Sequence, residues 1–162
     1  MEKRHLPEII ESDRLYFKKI SLDLAEVMFR YVDEDRHRLS QFLPWPKFVT
    51  TVQHEVDYVN LTLKLWDSFE GYTYGLFKKD DHVYMGNIDI HAISWNWDRC
   101  EIGYWILGRY EGKGFMREAV KVFTQTLHDH GFNRIEIRCD PNNSRSSNVP
   151  RALDYIFEGC LH

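Results

Sequence analysis

The residues with the plainest chemical potential lie between Cys100 and Asp140. Gly112-Lys113-Gly114 follows a strand-like run, Glu101-Ile-Gly-Tyr-Trp-Ile-Leu107, and precedes an amphipathic stretch from Phe115 to His130. Glycines at 112 and 114 let the main chain turn tightly and approach an anion with no Cβ in the way. The unpaired amides of such a loop and of the first helical turn converge, and the helix dipole adds partial positive charge. That is a phosphate cradle made of backbone, with Lys113 as a possible side-chain contact. Taken alone the signal is weak, because tight turns need glycine for their own reasons. Two competing phosphate motifs are absent: there is no GxxxxGK followed by Ser or Thr, and no GxGxxG with an acidic residue about 20 positions on.

Other reactive residue types form no site by spacing. His5, His37, His54, His82, His91, His128, His130 and His162 are scattered, with no HExxH and no metal-ligand interval. Cys100, Cys139 and Cys160 are an odd number without paired metal spacing. They read as buried apolar residues of a reducing compartment. No metal is expected.

The elements that must position the loop are legible from periodicity. Arg14 to Ile20 reads as a strand, after which Ser21 and Asp23 offer N-caps to a helix with Leu24, Met28, Tyr31 and Val32 on one face. Leu39-Ser-Gln-Phe-Leu-Pro-Trp-Pro46 is an aromatic connector in which Pro44 and Pro46 prevent a long helix. Val52, Val56, Val59, Leu63 and Trp66 mark a second helix, capped by Thr50 or Thr51 and stopped near Gly71. Tyr72–Phe77 and Val83–His91 read as a hairpin around Lys78-Lys-Asp-Asp81. Cys100–Leu107 is the next strand. Met116, Ala119, Val120, Phe123 and Leu127 form the inner face of the helix after the glycine loop, and Gly131 ends it. Asn133 to Asp140 alternates as a half-polar strand, Val149 and Leu153 belong to a short helix, and Ile156–Cys160 reads as a strand fragment. No linker, repeat or low-complexity segment divides the chain, so 1–162 is expected to be a single mixed α/β domain.

Composition narrows the function. A chain of 162 residues, 43% hydrophobic, can bury one core of ordinary size. A net charge of -4, from 21 basic and 25 acidic residues, argues against a dedicated nucleic-acid binder. No apolar stretch follows Met1-Glu-Lys-Arg-His5, and none reaches membrane-span length, so a soluble cytoplasmic protein with no membrane contact is expected. The aromatic content of 15% fits either a ring-rich core or a ring-lined cleft.

Glu101 through Ala119, with its Gly112-Lys-Gly114 centre, resembles the central motif of the GNAT acetyltransferases. It most resembles the branch holding the Rim-type ribosomal-protein N-terminal (serine/alanine) acetyltransferases. Asn143-Ser-Arg-Ser-Ser-Asn-Val149, Phe157-Glu-Gly-Cys160 and the upstream Phe42-Leu-Pro-Trp-Pro46 match the same branch, in the family's order and over nearly the whole chain. The resemblance implies an α+β fold: a mixed, mostly antiparallel central sheet flanked by helices, here without its last strand. It implies direct transfer of an acetyl group from acetyl-CoA to a primary amine in a ternary complex. Glu111, Gly112, Lys113, Gly114, Phe115 and Met116 would hold the pyrophosphate. The backbone of Trp105, Ile106 and Leu107 would pair with the pantetheine arm, and an N–H there would polarise the thioester carbonyl.

The same resemblance makes Glu101 a candidate general base, against a purely structural pairing with Arg99 or Arg134. Ser146 becomes a candidate acid or orienting hydroxyl, against a place in the first turn of a helix capped by Asn143 or Ser144. Asn143 is expected to bind the cofactor arm. The position of the tyrosine acid used by many GNAT enzymes falls at Pro150, which closes that route. Four departures stand out: Glu111 puts a carboxylate beside the pyrophosphate site, Met116 is bulky, Asp154 replaces a glycine, and the chain stops before a further segment that carries a proposed glutamate base. The last is read as a C-terminal truncation, and the sheet edge it leaves is read as inviting a homodimer. The acceptor is an amine, expected to be a protein N-terminus. Alternatives are a polyamine or other small amine, a non-catalytic acyl-CoA-binding module, or a shortened chain without activity.

Overall fold

The computed structural model describes residues 1–161. Its strands are Ile9–Glu11 (β1), Leu15–Lys19 (β2), Tyr72–Lys78 (β3), Tyr84–Ser94 (β4), Arg99–Ile106 (β5) and Arg134–Ile137 (β6). Its helices are Ala25–Glu34 (α1), Arg36–Leu39 (α2), Val52–Asp67 (α3), Phe115–Asp129 (α4) and Ser144–Ala152 (α5). The strands form one six-stranded sheet in sequence order. β1 to β5 pair antiparallel, and only β5 and β6 run parallel. This is the expected mixed, mostly antiparallel sheet flanked by helices.

The core follows the two periodicities. On α4, Phe115, Ala119, Val120, Phe123 and Leu127 pack with Phe17, Tyr74, Leu76, Ile88 and Ile102 of the sheet. A second cluster joins Ile20, Leu24, Met28, Tyr31 and Val59 to Tyr84 and Leu107. Because strand side chains alternate, burying Ile88 and Ile90 puts Asn87, Asp89 and His91 on the other side of β4. The register sets Asn87 opposite Trp105, Asp89 opposite Gly103 and His91 opposite Glu101.

Several details differ from the sequence reading. Ser21 makes no cap to the backbone; its hydroxyl bonds Asp23. Thr51 does cap α3, accepting from the His54 N–H. The buried residues of α3 are Glu55, Val59, Thr62 and Trp66, so Val59 and Trp66 of the expected face enter the core, while Val52 in the first turn is exposed. β1 was not expected; three residues are too short a run for alternation to register. Ile156–Cys160 is not a strand: no ladder pairs it, and Ile156 and Phe157 are 87% and 71% exposed. Asp154, where the resemblance expects glycine, sits at φ +61, a left-handed conformation that costs a non-glycine residue energy. No helix among the described residues is long and apolar enough to cross a membrane.

Candidate active site

The parallel pairing of β5 with β6 ends at Ile102 and Ile137, whereas β5 continues beside β4 to Ile106. From Gly103 onward β5 therefore has one open edge. The Leu107 N–H is spent on Met85 O at 2.9 Å. By the alternation of an antiparallel ladder, the main-chain groups of Tyr104 and Ile106 then point at the gap, and those of Trp105 point at β4. Of the three residues expected to meet the pantetheine arm, Ile106 is thus the one on the open edge, joined by Tyr104. Leu107 is tied to the sheet interior.

The open edge leads straight to the glycine loop. Gly108–Tyr110 make one 3-10 turn, and Gly112 and Gly114 adopt φ +72 and +76. Both angles lie in the region that only glycine enters cheaply. Gly114 is the N-cap of α4 and no side chain caps it. The first amides of α4 are left for an outside acceptor, and a Cβ at Gly112 would meet nothing within 4 Å. Arg14 braces the loop from below: it donates to the Lys113 carbonyl at 3.0 Å and to Glu118 at 2.6 Å, and lies 4.5 Å from the Phe115 ring centre. Burial alone would raise the Glu118 carboxyl, but the bonds from Arg14 and Ser12 bring it below its ordinary range.

Glu111 lines the same cleft as the glycine loop. Its carboxylate is held between the guanidinium groups of Arg38 and Arg145. Arg38 also donates to the Ile106 carbonyl at 2.7 Å and to Asp35, whose carboxylate accepts the Gly108 N–H at 2.9 Å. The junction of α1 and α2 is therefore clamped to the end of β5. The concern that Glu111 repels a pyrophosphate is met by two neighbouring cations. Neither arginine was singled out from sequence, and nothing local marks them. The cleft around these groups has a volume of about 940 Å³ and is lined by Phe42, Tyr104, Gly114, Met116, Asn143 and Ser146 among others. That size suits a cofactor-scale ligand.

Ser146 lies across the cleft in the first turn of α5. Its N–H donates to Asn143 Oδ1 at 3.1 Å, so Asn143 is the cap, as the structural alternative required. The Tyr104 hydroxyl donates to the Ser146 carbonyl at 2.9 Å, and Ser146 Oγ lies 3.4 Å from the same hydroxyl. Burial pushes the Tyr104 phenol up to about 12, so it stays protonated at neutral pH. Sequence reasoning missed Tyr104. With the Tyr104 proton committed to the Ser146 carbonyl, the Ser146 hydroxyl, in only a long contact with Tyr104, is the member of the pair that can turn toward a leaving group on this side of β5.

Glu101 projects from the opposite side, as the two-residue strand period demands. Its carboxylate contacts Arg138 Nε at 3.2 Å and His91 Nε2 at 3.4 Å. Arg99 and Arg134, expected as partners, pair instead with Glu136. Phe42 and Leu43 of the aromatic connector reach the cleft, and Trp45 lies 5.8 Å from Trp105. Among the described residues no group of three His, Cys, Asp or Glu side chains is disposed to hold a metal ion.

An open strand edge running into an uncapped, glycine-led helix is the arrangement of an acyl-CoA transferase cleft. The comparisons agree: the model of the acetyltransferase (GNAT) domain matches residues 14–156, and the chain belongs to that family, whose acetyl donor is acetyl-CoA. It is similar to the ribosomal-protein-serine acetyltransferase of Escherichia coli (strain K12), at 24% identity over 93% of this chain and 83% of that protein. It is also similar to the uncharacterized N-acetyltransferase p20 of Bacillus licheniformis, 28% identical over 95% of this chain and 85% of the relative. Among solved structures, the ribosomal L7/L12 alpha-N-protein acetyltransferase RimL in complex with coenzyme A matches with a TM-score of 0.90 at 24% identity, covering 95% of this chain and 87% of that one.

Proposed function

We propose that this N-acetyltransferase acts on the amino terminus of a protein, with acceptors of the ribosomal-protein kind as its first candidates. The end of β5–β6 pairing at Ile102, directly ahead of the uncapped start of α4, carries the cofactor part of the reading, and the likeness to ribosomal-protein acetyltransferases supports the acceptor. Tyr104 and Ile106 would pair with the pantetheine arm, and the amides from Gly112 to Met116 would hold the pyrophosphate, with Arg145 and Lys113 at its margin. When bound, acetyl-CoA supplies an activated acyl group. The chain holds the reacting groups on the two sides of β5, with Glu101 taking the proton of the attacking amine and Ser146 with Tyr104 facing the departing sulfur. An N-terminal amine has a pKa near 8, so one carboxylate with modest help suffices as base.

A small polycationic amine is the second reading, favoured by the two carboxylates, Asp89 and Glu101, on the same side of the sheet. Calorimetric titration with CoA tests the cofactor assignment, and binding weaker than about 1 mM removes it. Thiol release from acetyl-CoA is then compared for a peptide with a free N-terminal serine, for spermidine and for no acceptor. Preference for spermidine overturns the protein-terminus reading. Glu101→Gln tests the base, with kcat expected to fall about 100-fold.

A further inference from the structure

Asp89, His91 and Glu101 make a continuous contact across β4 and β5. The His91 Nδ1 lies 2.7 Å from Asp89 Oδ2, and its Nε2 lies 3.4 Å from Glu101 Oε1. One imidazole thus bridges two carboxylates through its two nitrogens. The register creates the bridge, since Asp89 faces Gly103 and His91 faces Glu101. Gly103 permits it: a Cβ there would lie 2.8 Å from Asp89 Oδ1 and 3.2 Å from the His91 ring. Glu101 has a side chain 16% exposed, whereas that of His91 is 48% exposed. The chain of contacts therefore runs from a shielded carboxylate to solvent.

We propose that His91, oriented by Asp89, is the proton outlet of Glu101 during acetyl transfer. This rests on the reading of Glu101 as base. The outlet works through the neutral form of His91: with its Nδ1 proton donated to Asp89, Nε2 accepts once Glu101 carries a proton. An acceptor ammonium loses two protons over the reaction. As its nitrogen forms the C–N bond and the C–S bond breaks, one proton ends on the CoA sulfur. The other passes to Glu101, then to His91 Nε2, and the imidazolium releases it to water. Nothing is oxidised or reduced. Glu101 is returned to its carboxylate form without opening itself to solvent.

The surroundings fit a group poised to hold and release a proton. The hydrogen bond to Asp89 holds His91 above its ordinary 6.5 against the opposing effect of burial, and Glu101 adds to the rise. Arg138 touches Glu101 and Glu136 from the end of β6, while Arg99 pairs with Glu136. From α3, burial raises the Tyr58 phenol, and Asp89 and Glu55 add to the rise. With two carboxylates flanking the ring and one arginine opposing, a cationic intermediate state of His91 is favoured, and a proton leaving Glu101 has a better base next to it.

The test compares wild type with His91→Gln and Asp89→Asn, using acetyl-CoA and a peptide with a free N-terminal serine. The acceptor's own ionisation is common to all and cancels in a ratio of kcat values. For an outlet, the wild-type to His91→Gln ratio rises with pH to about 10-fold, with its midpoint above 6.5, and KM is unchanged. Asp89→Asn moves that midpoint down. A ratio flat across pH assigns His91 a structural role and overturns the proposal. Separately, the His91 ring is titrated by NMR, with no acceptor needed. A midpoint above 6.5 that drops in Asp89→Asn is expected, and one at or below 6.5 in wild type overturns the geometry. Full activity of Glu101→Gln removes the base reading itself; a Glu101→Gln loss beside a flat His91 ratio sinks the outlet alone.

Discussion

The two sides of the cleft are built to different standards. In the antiparallel half, Leu15, Phe17, Tyr72, Tyr74, Leu76, Met85 and Ile88 are fully buried, each at 0% exposure. In the parallel half, β6 holds only half-buried or exposed residues, and no residue of α5 is buried. Yet both halves line the same cleft, the open edge of β5 from one, Asn143, Arg145 and Ser146 from the other. The rigid half defines where an acyl group must lie. The thinner half, with few apolar contacts to anchor it, is the part free to adjust around a ligand.

Substitutions that separate the halves should differ most in stability. Phe123→Ala, in the densely packed half, should lose about 3–5 kcal/mol in chemical denaturation. Ile137→Ala on β6 should lose about 1 kcal/mol, since only part of its side chain leaves water on folding. Equal losses would erase the distinction. Next in size is a pH effect from Glu55, whose carboxyl burial raises to about 7 from 4.5. The native state then binds more protons than the unfolded one, so stability falls as pH rises from 4.5 to 7 and stays low above it. Glu55→Gln should remove that slope, gaining up to about 3 kcal/mol at pH 8 and little at pH 4.

At the seam, Gly114→Val should cost CoA affinity roughly 10-fold, because a branched side chain resists φ +76 there. Folding should change less than binding, as measured by melting with and without CoA. The smallest effect belongs to the loose half: Asp154→Gly should raise stability by about 0.5 kcal/mol by relieving its left-handed backbone. A loss would show that the Asp154 side chain contributes more than its conformation costs.

What could be read from the sequence was local. The glycine loop declares itself because a left-handed backbone needs glycine within a few residues, and α4 because its apolar positions repeat at helical spacing. The Arg38–Glu111 pair joins residues 73 apart, and Arg145–Glu111 spans 34, so no window of sequence contains either. The valines of α3 hid the burial of Glu55, since hydrophobic periodicity cannot nominate a carboxylate for a core. Asp89 and His91 lay within the expected Val83–His91 strand, His91 as one of eight histidines with no site spacing. Their meeting with Glu101 required the β4–β5 register, which depends on the whole hairpin. Ile156–Cys160 had the composition of a strand but no neighbour to pair with, and a strand exists only as part of a ladder.

The early end of the β5–β6 ladder also gives the molecule a built-in reporter. The amides of Tyr104 and Ile106, directed at a gap, should exchange their hydrogens with solvent far faster than those of Trp105 and Leu107 on the same strand. A cosubstrate arm lying along that edge completes the ladder, and the four rates should draw together. The active-site cleft can be watched filling, residue by residue, without any acetyl group being moved.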